Sequence, residues 1–74
     1  MESTSVLKNL LHERNKANEA ARAIVDAALA EGRSLTAEDK EAIARADADF
    51  DAKNAMIEEI RRIDAREAEV REAV

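Results

Sequence analysis

One stretch of the sequence, DADFDAKNAMIE at residues 47–58, has the acid spacing of a calcium-binding loop. Acids fill the first, third, fifth and twelfth positions of that pattern: Asp47, Asp49, Asp51 and Glu58. The sixth position of such a loop is glycine, which makes its sharp turn, but this chain has Ala52 there. Apolar residues at helical spacing continue through the same stretch. We therefore expect a solvated helix face here, with no metal and no cofactor.

The single histidine, His12, begins the run HERNK, which resembles the start of a zinc-protease helix. That motif needs a second histidine four residues on, and Lys16 occupies the place. Cysteine is absent, so there is no thiolate ligand and no cysteine nucleophile. The serines and threonines fall near the expected helix starts, where they act as caps. The sequence accordingly predicts that the chain is not an enzyme.

Charge and hydropathy argue against two further classes of partner. The formal net charge is −5, and the longest basic run is Arg61–Arg62. Phosphate binding needs a concentrated basic surface, so we expect no nucleic-acid partner. No apolar run approaches the ~20 residues of a membrane span, and the polar face is acidic, so we expect no membrane partner.

The elements that carry these residues are two helices within a single domain, residues 1–74. Apolar side chains at three- and four-residue spacing predict a helix over about 4–31, with an N-cap among the serines and threonine at residues 3–5. Gly32 stands where a left-handed residue ends a helix. A turn at 32–36, with Leu35 and Thr36, leads into a second helix over about 37–72, for which Thr36 is the expected N-cap.

The short connection favours an antiparallel pair, and the fold class expected is an all-α, coiled-coil-like two-helix hairpin with a longer second helix. Residues whose numbers add up to about 67 should face each other. The predicted hairpin core then consists of Leu7, Leu10, Ala17, Ala21, Ile24, Ile43, Ala46, Phe50, Ile57 and Ile60. One weak point is expected where Arg14 meets Lys53, unless acids separate the two cations.

The second helix is predicted to extend beyond the first by about residues 65–74. A second apolar stripe, shifted around the helix from the core stripe, runs into this overhang and is joined by Ile60. Its residues are Met56, Ile63, Val70 and Val74. Beyond about residue 64 the first helix offers no partner for that stripe. An unmatched stripe usually packs on another helix, so these four residues are the candidate self-association surface and the chain itself is the first expected partner.

Two runs give the chain a family resemblance: LKNLLHER, from Leu7 to Arg14, and AEGRSLTAEDK, from Ala30 to Lys40. Together with the acid-rich middle of the second helix, they resemble the N-terminal segment of Hong-Kong-97-type major capsid proteins of tailed bacteriophages. The resemblance spans nearly all of the chain, and the turn is its distinctive part. The run IARADADFD departs from it, with alanines where the family commonly has larger apolar residues.

The resemblance implies a built-in scaffold, the delta domain of the coat subunit. Such a domain projects into the immature capsid in the host bacterial cytoplasm and guides procapsid assembly through helix–helix contacts. A phage protease removes it on maturation. The implied partners are other copies of the segment, other capsid subunits and that maturation protease.

A different class of function is also open on the sequence. The chain could be a stand-alone dimeric coiled-coil adaptor or regulatory protein, with Met56, Ile60, Ile63 and Val70 joining two hairpins into a four-helix bundle. A calcium sensor built on residues 47–58 is a third alternative.

Overall fold

The computed structural model describes residues 2–73 of the chain, with side chains described for residues 4–72. It is an all-α antiparallel hairpin of two helices, α1 (Glu2–Ala30) and α2 (Ala37–Ala73), packed along each other. The dimensions are 61 × 17 × 15 Å, so the molecule is a thin rod. Within the described residues, no helix is both long and apolar enough to cross a membrane. The expected fold class is therefore confirmed.

The helix boundaries differ slightly from the expected ones. α1 begins at Glu2 rather than at about residue 4, so the serines and threonine expected to cap it lie inside its first turn. It ends at Ala30, one residue early, and α2 ends at Ala73, one residue late. Shifts of this size are ordinary at helix ends, where few backbone bonds fix the boundary.

The chain leaves α1 through a Schellman motif centred on Gly32. This glycine has φ of 64°, a left-handed conformation that a Cβ atom would disfavour. Its N–H donates to the carbonyl of Leu29 at 3.1 Å, and the N–H of Arg33 donates to the carbonyl of Ala28 at 3.0 Å. These two bonds satisfy carbonyls that the helix end would otherwise leave free, as predicted for Gly32.

α2 begins with a reciprocal capping box. The Asp39 N–H donates to Thr36 Oγ1 at 3.0 Å, and the Thr36 N–H donates to Asp39 Oδ2 at 3.0 Å. Arg33 donates to the same Asp39 oxygen at 2.7 Å and also pairs with Glu31. The Thr36 N–H, with Arg33 second, holds the pKa of Asp39 below its usual value. The same carboxylate, with Glu31 second, raises the pKa of Arg33.

The interface between the helices is narrow. Among the residues with described side chains, only Ala17, Ala28 and Ile57 are buried apolar residues, and Ile57 is the one large side chain with no exposed surface. Every residue predicted for the hairpin core is buried or half-buried, and so is Leu35 in the turn. Two of the three buried residues are alanines and most of the large apolar side chains are only half-buried, so the hairpin buries little side-chain volume.

Among the described side chains, those buried or half-buried between the helices extend to Leu7 on α1 and Ile60 on α2. Residues 4–6 of α1 are exposed, and every residue from 61 to 72 of α2 is exposed. α1 begins at Glu2, which lies level with residue 65 of α2, so the second helix extends beyond the first from close to the expected residue 65. The exposed part of α2 begins earlier, at residue 61, because residues 4–6 of α1 leave the α2 residues level with them exposed.

Replacing Ile57 by alanine should destabilise the hairpin by about 2–5 kcal/mol, because the substitution leaves a cavity where the one fully buried large side chain of the described residues was packed. The matched control is Ile63→Ala, the same change at a 43% exposed position, where we expect about 0.5 kcal/mol or less. Urea unfolding followed by circular dichroism in dilute solution measures both values. Equal losses for the two variants would contradict this account of the core.

The cap network should make the hairpin acid-sensitive. Because folding lowers the pKa of Asp39 from its ordinary value of 3.8, its contribution to stability is complete above that pH. The contribution is lost as the pH falls through the lower folded value. We expect the melting temperature to fall on acidification below pH ~4, and to fall less steeply in Asp39→Asn.

Asp47→Asn is the control for that experiment, because it makes the same charge change in the same helix, outside the cap. The two variants should differ in the slope of melting temperature against pH. An Asp39→Asn slope equal to those of Asp47→Asn and the unmodified chain would show that the cap carboxylate does not couple protonation to folding.

Candidate functional site

A polar cluster lies on one side of the hairpin near the middle of its length. Lys53 Nζ is 3.4 Å from Glu13 Oε2 on the opposite helix and 3.6 Å from Asp49 Oδ1 one turn earlier on its own helix. The hydrogen bond that Lys53 donates to Glu13, with the charge of Asp49 second, raises the pKa of Lys53. Lys53 therefore pairs with two acids, and Arg14 contacts Asn54 and Phe50 instead, so the expected repulsion between the two cations is relieved.

Arg14 makes its contacts on the opposite side of the seam. Its guanidinium donates to Asn54 Oδ1 at 3.0 Å and lies 5.4 Å from the centre of the Phe50 ring, a cation–π distance. The cross-helix pairs Glu13–Lys53 and Arg14–Asn54 have residue numbers that add up to 66 and 68. Both agree with the register predicted from the apolar stripes.

Large apolar side chains remain exposed along the rod. Four of them have exposed fractions of 49%, 41%, 43% and 60%: Val6, Met56, Ile63 and Val70. Three of these are predicted self-association residues. The fourth predicted one, Val74, lies outside the described residues, and Val6 is an addition that the stripe on the second helix did not reveal.

All four of these side chains lie on the same side of the hairpin. Val6 is seven residues before Glu13, and Met56 is seven residues after Asp49, so each shares a helix face with that acid. Both acids contact Lys53, so their two faces adjoin. We call Val6, Met56, Ile63 and Val70 the apolar edge. Leu29, also exposed, lies far from it, beside the turn.

The sequence patterns that resemble metal sites do not form such sites. Residues 47–58 are continuous helix within α2, so no loop gathers the four acids. Among the described residues, no group of three or more acidic, histidine or cysteine side chains is placed to hold a metal ion. His12 is exposed on α1. The feature of this geometry that is open to contact with another molecule is the apolar edge, whose side chains are exposed.

Comparison with protein-family models, with curated proteins and with solved structures found no match to this chain.

Calcium should leave the chain unchanged. In α2, Asp47, Asp51 and Glu58 share one face but are spread along about 16 Å of the axis, and Asp49 points away from that face. The four carboxylates therefore cannot converge on one ion. Calorimetric titration with calcium should give no binding heat, and the far-ultraviolet circular dichroism should stay constant. A binding heat that saturates with added calcium, and that is lost in Asp47→Asn, would contradict this prediction and support the calcium-sensor alternative.

Proposed function

We propose that this chain is a helical assembly module, the N-terminal scaffolding segment of a Hong-Kong-97-type phage capsid protein. The observation that carries the proposal is the apolar edge, which continues along α2 past the last residue that α1 covers. A helix with a regularly spaced, unmatched apolar face is typical of a protein that packs against other helices.

The rest of the molecule supports this reading. A thin rod with one large buried side chain gains little stability from its own fold and has much to gain from neighbours. The resemblance of the turn around Gly32 to that family is the reason for proposing a phage capsid as the assembly in which this segment acts. Inside an immature shell, many copies fixed at close spacing would turn weak contacts into a strong bias on geometry.

The charge of the chain suits a segment that leaves before DNA enters. Its net charge is −5, so it would repel a packaged genome rather than hold it. On this proposal its partners are copies of itself, other capsid subunits and the protease that removes it, and its location is the interior of the immature capsid in the host cytoplasm.

The proposal predicts a change in covalent state during particle formation. Peptide mass mapping of the naturally expressed product should find residues 1–74 at the head of a larger chain early, and should find them missing from mature particles. A 74-residue product present at every stage would overturn the scaffold proposal and favour the stand-alone coiled-coil adaptor.

A variant of the full coat subunit tests the role of the edge itself. Ile63→Lys should give aberrant shells or none, because it places a charge in the middle of the contact surface while leaving the hairpin core intact. Glu69→Lys adds the same side chain at an exposed position away from the edge and should assemble normally. Normal heads from Ile63→Lys, or from a subunit lacking residues 1–74, would contradict the proposal.

A further inference from the structure

We propose that the apolar edge binds the same edge of a second copy, with the two α2 helices antiparallel and Ile60 of each copy facing Ile63 of the other. The inference rests on the proposed function, since it specifies the contact by which such scaffolds would cluster. It follows from the spacing of the edge and from the charges beside it.

The spacing fits a two-helix seam. Met56, Ile63 and Val70 repeat every seven residues, and Ile60 falls between the first two at the four-then-three spacing of a coiled coil. Ile60 is half-buried, because it lies at the border between the edge and the face that α1 covers. A second helix on this edge would therefore continue the packing that α1 begins.

The edge is broadest where we place the centre of the contact. Cross-helix pairs have residue numbers that add up to about 67, so Val6 of α1 lies level with residue 61 of α2. An antiparallel pair with Ile60 facing Ile63 has its twofold axis at the same level. Val6 of both copies would then join the two isoleucines of each α2 in one apolar cluster.

The charges beside the edge favour antiparallel over parallel pairing. On α2, Glu59 and Arg66 flank the seam on one side, and Asp64 and Arg71 flank it on the other. In a parallel pair, the first flank of one copy faces the second flank of the other. Glu59 of one copy would then meet Asp64 of the other, and Arg66 would meet Arg71. Both of those contacts join like charges and are repulsive.

The proposed antiparallel register joins opposite charges instead. Helices in antiparallel pairs bring the same flank of each copy together, so Glu59 of each copy faces Arg66 of the other. Sliding the copies by one repeat either way brings two Arg66 side chains, or two Glu59 side chains, against each other. Among the described side chains, Glu59 forms one ion pair, with Arg62 at 3.8 Å between exposed groups, so its carboxylate is accessible to a partner.

One acid in the seam limits the strength of the contact. Glu67 falls at the repeat position between Ile63 and Val70, and its side chain is 61% exposed beside Arg71. In the proposed register it faces Met56 of the second copy. A single charged residue at such a position fixes register at a cost in affinity, so the pair should be weak and reversible.

Sedimentation equilibrium up to millimolar concentration tests the orientation through charge reversal. We expect the unmodified chain to be a weak dimer. Glu59→Arg and Arg66→Glu should each weaken it about tenfold, because either change turns two attractive contacts into repulsive ones. The double variant should recover most of the affinity, and Glu69→Arg, off the seam, should change it little.

Parallel pairing makes the opposite prediction, since either single reversal would remove a repulsion and strengthen the dimer. A strengthened dimer would therefore overturn the inference. A monomer at all concentrations would overturn it too, as would a dimer indifferent to all of these charges. Circular dichroism of each variant checks that these exposed substitutions leave the hairpin folded.

Disulfide trapping provides an independent check, because the chain has no cysteine of its own. In the proposed register the two copies of residue 70 lie roughly 25 Å apart along the axis, so Val70→Cys should not form a disulfide dimer on oxidation. Mixed Ile60→Cys and Ile63→Cys copies should cross-link to each other. Efficient Val70→Cys cross-linking would show a parallel pair.

The two proposals fail separately. If full coat subunits need residues 1–74 to form shells but the segment stays monomeric, the pairing inference falls and the scaffold function stands. If the antiparallel dimer forms but the natural product is a 74-residue chain at every stage, the scaffold function falls and the pairing stands.

Discussion

The whole molecule depends on one seam between two helices. In the described part of the chain, the buried residues of that seam other than Ile57 are alanines, and its other large apolar side chains are only half-buried. Alanine favours helix and lets two helices approach closely, but it removes little apolar surface from water. Only Ile57 contributes a large, fully covered side chain within the described part of the chain. A hairpin has no third element to cover the remaining faces. Its apolar residues outside the seam therefore stay exposed unless another molecule covers them.

Polar contacts give this thin seam its register. Apolar residues recur at three- and four-residue spacing along both facing sides, so packing alone selects weakly against a slide of one helical turn. The ion pair of Lys53 with Glu13, and the contacts of Arg14 with Asn54 and Phe50, form on opposite sides of the seam. A slide would break both sets at once. Exposed ion pairs add little to stability, so their main effect here is to select one alignment.

The sequence predicted the elements and the turn well, because the signals are local. Gly32 and Thr36 are cap residues with specific backbone chemistry, and the spacing of the apolar residues defines helix faces. The relative rotation of the two helices is not a local property. Whether Val6 lies on the same side as Met56 depends on how α1 is rotated against α2. The contacts of Lys53 with an acid on each helix reveal that rotation. The sequence also showed Arg14 facing Lys53 but not how its long side chain would turn to Phe50.

On the proposed function, a marginal hairpin suits a temporary scaffold. The same residues that the hairpin cannot bury are those that would join two copies, so holding copies close in a shell stabilises both the pair and each fold. The argument also runs in reverse. Once a cut frees the segment from the shell, the effective concentration that sustained the contact is lost. The contact between two copies contains the charged Glu67 and few large apolar side chains, so it then dissociates. The segment can leave without any step that actively separates the paired helices.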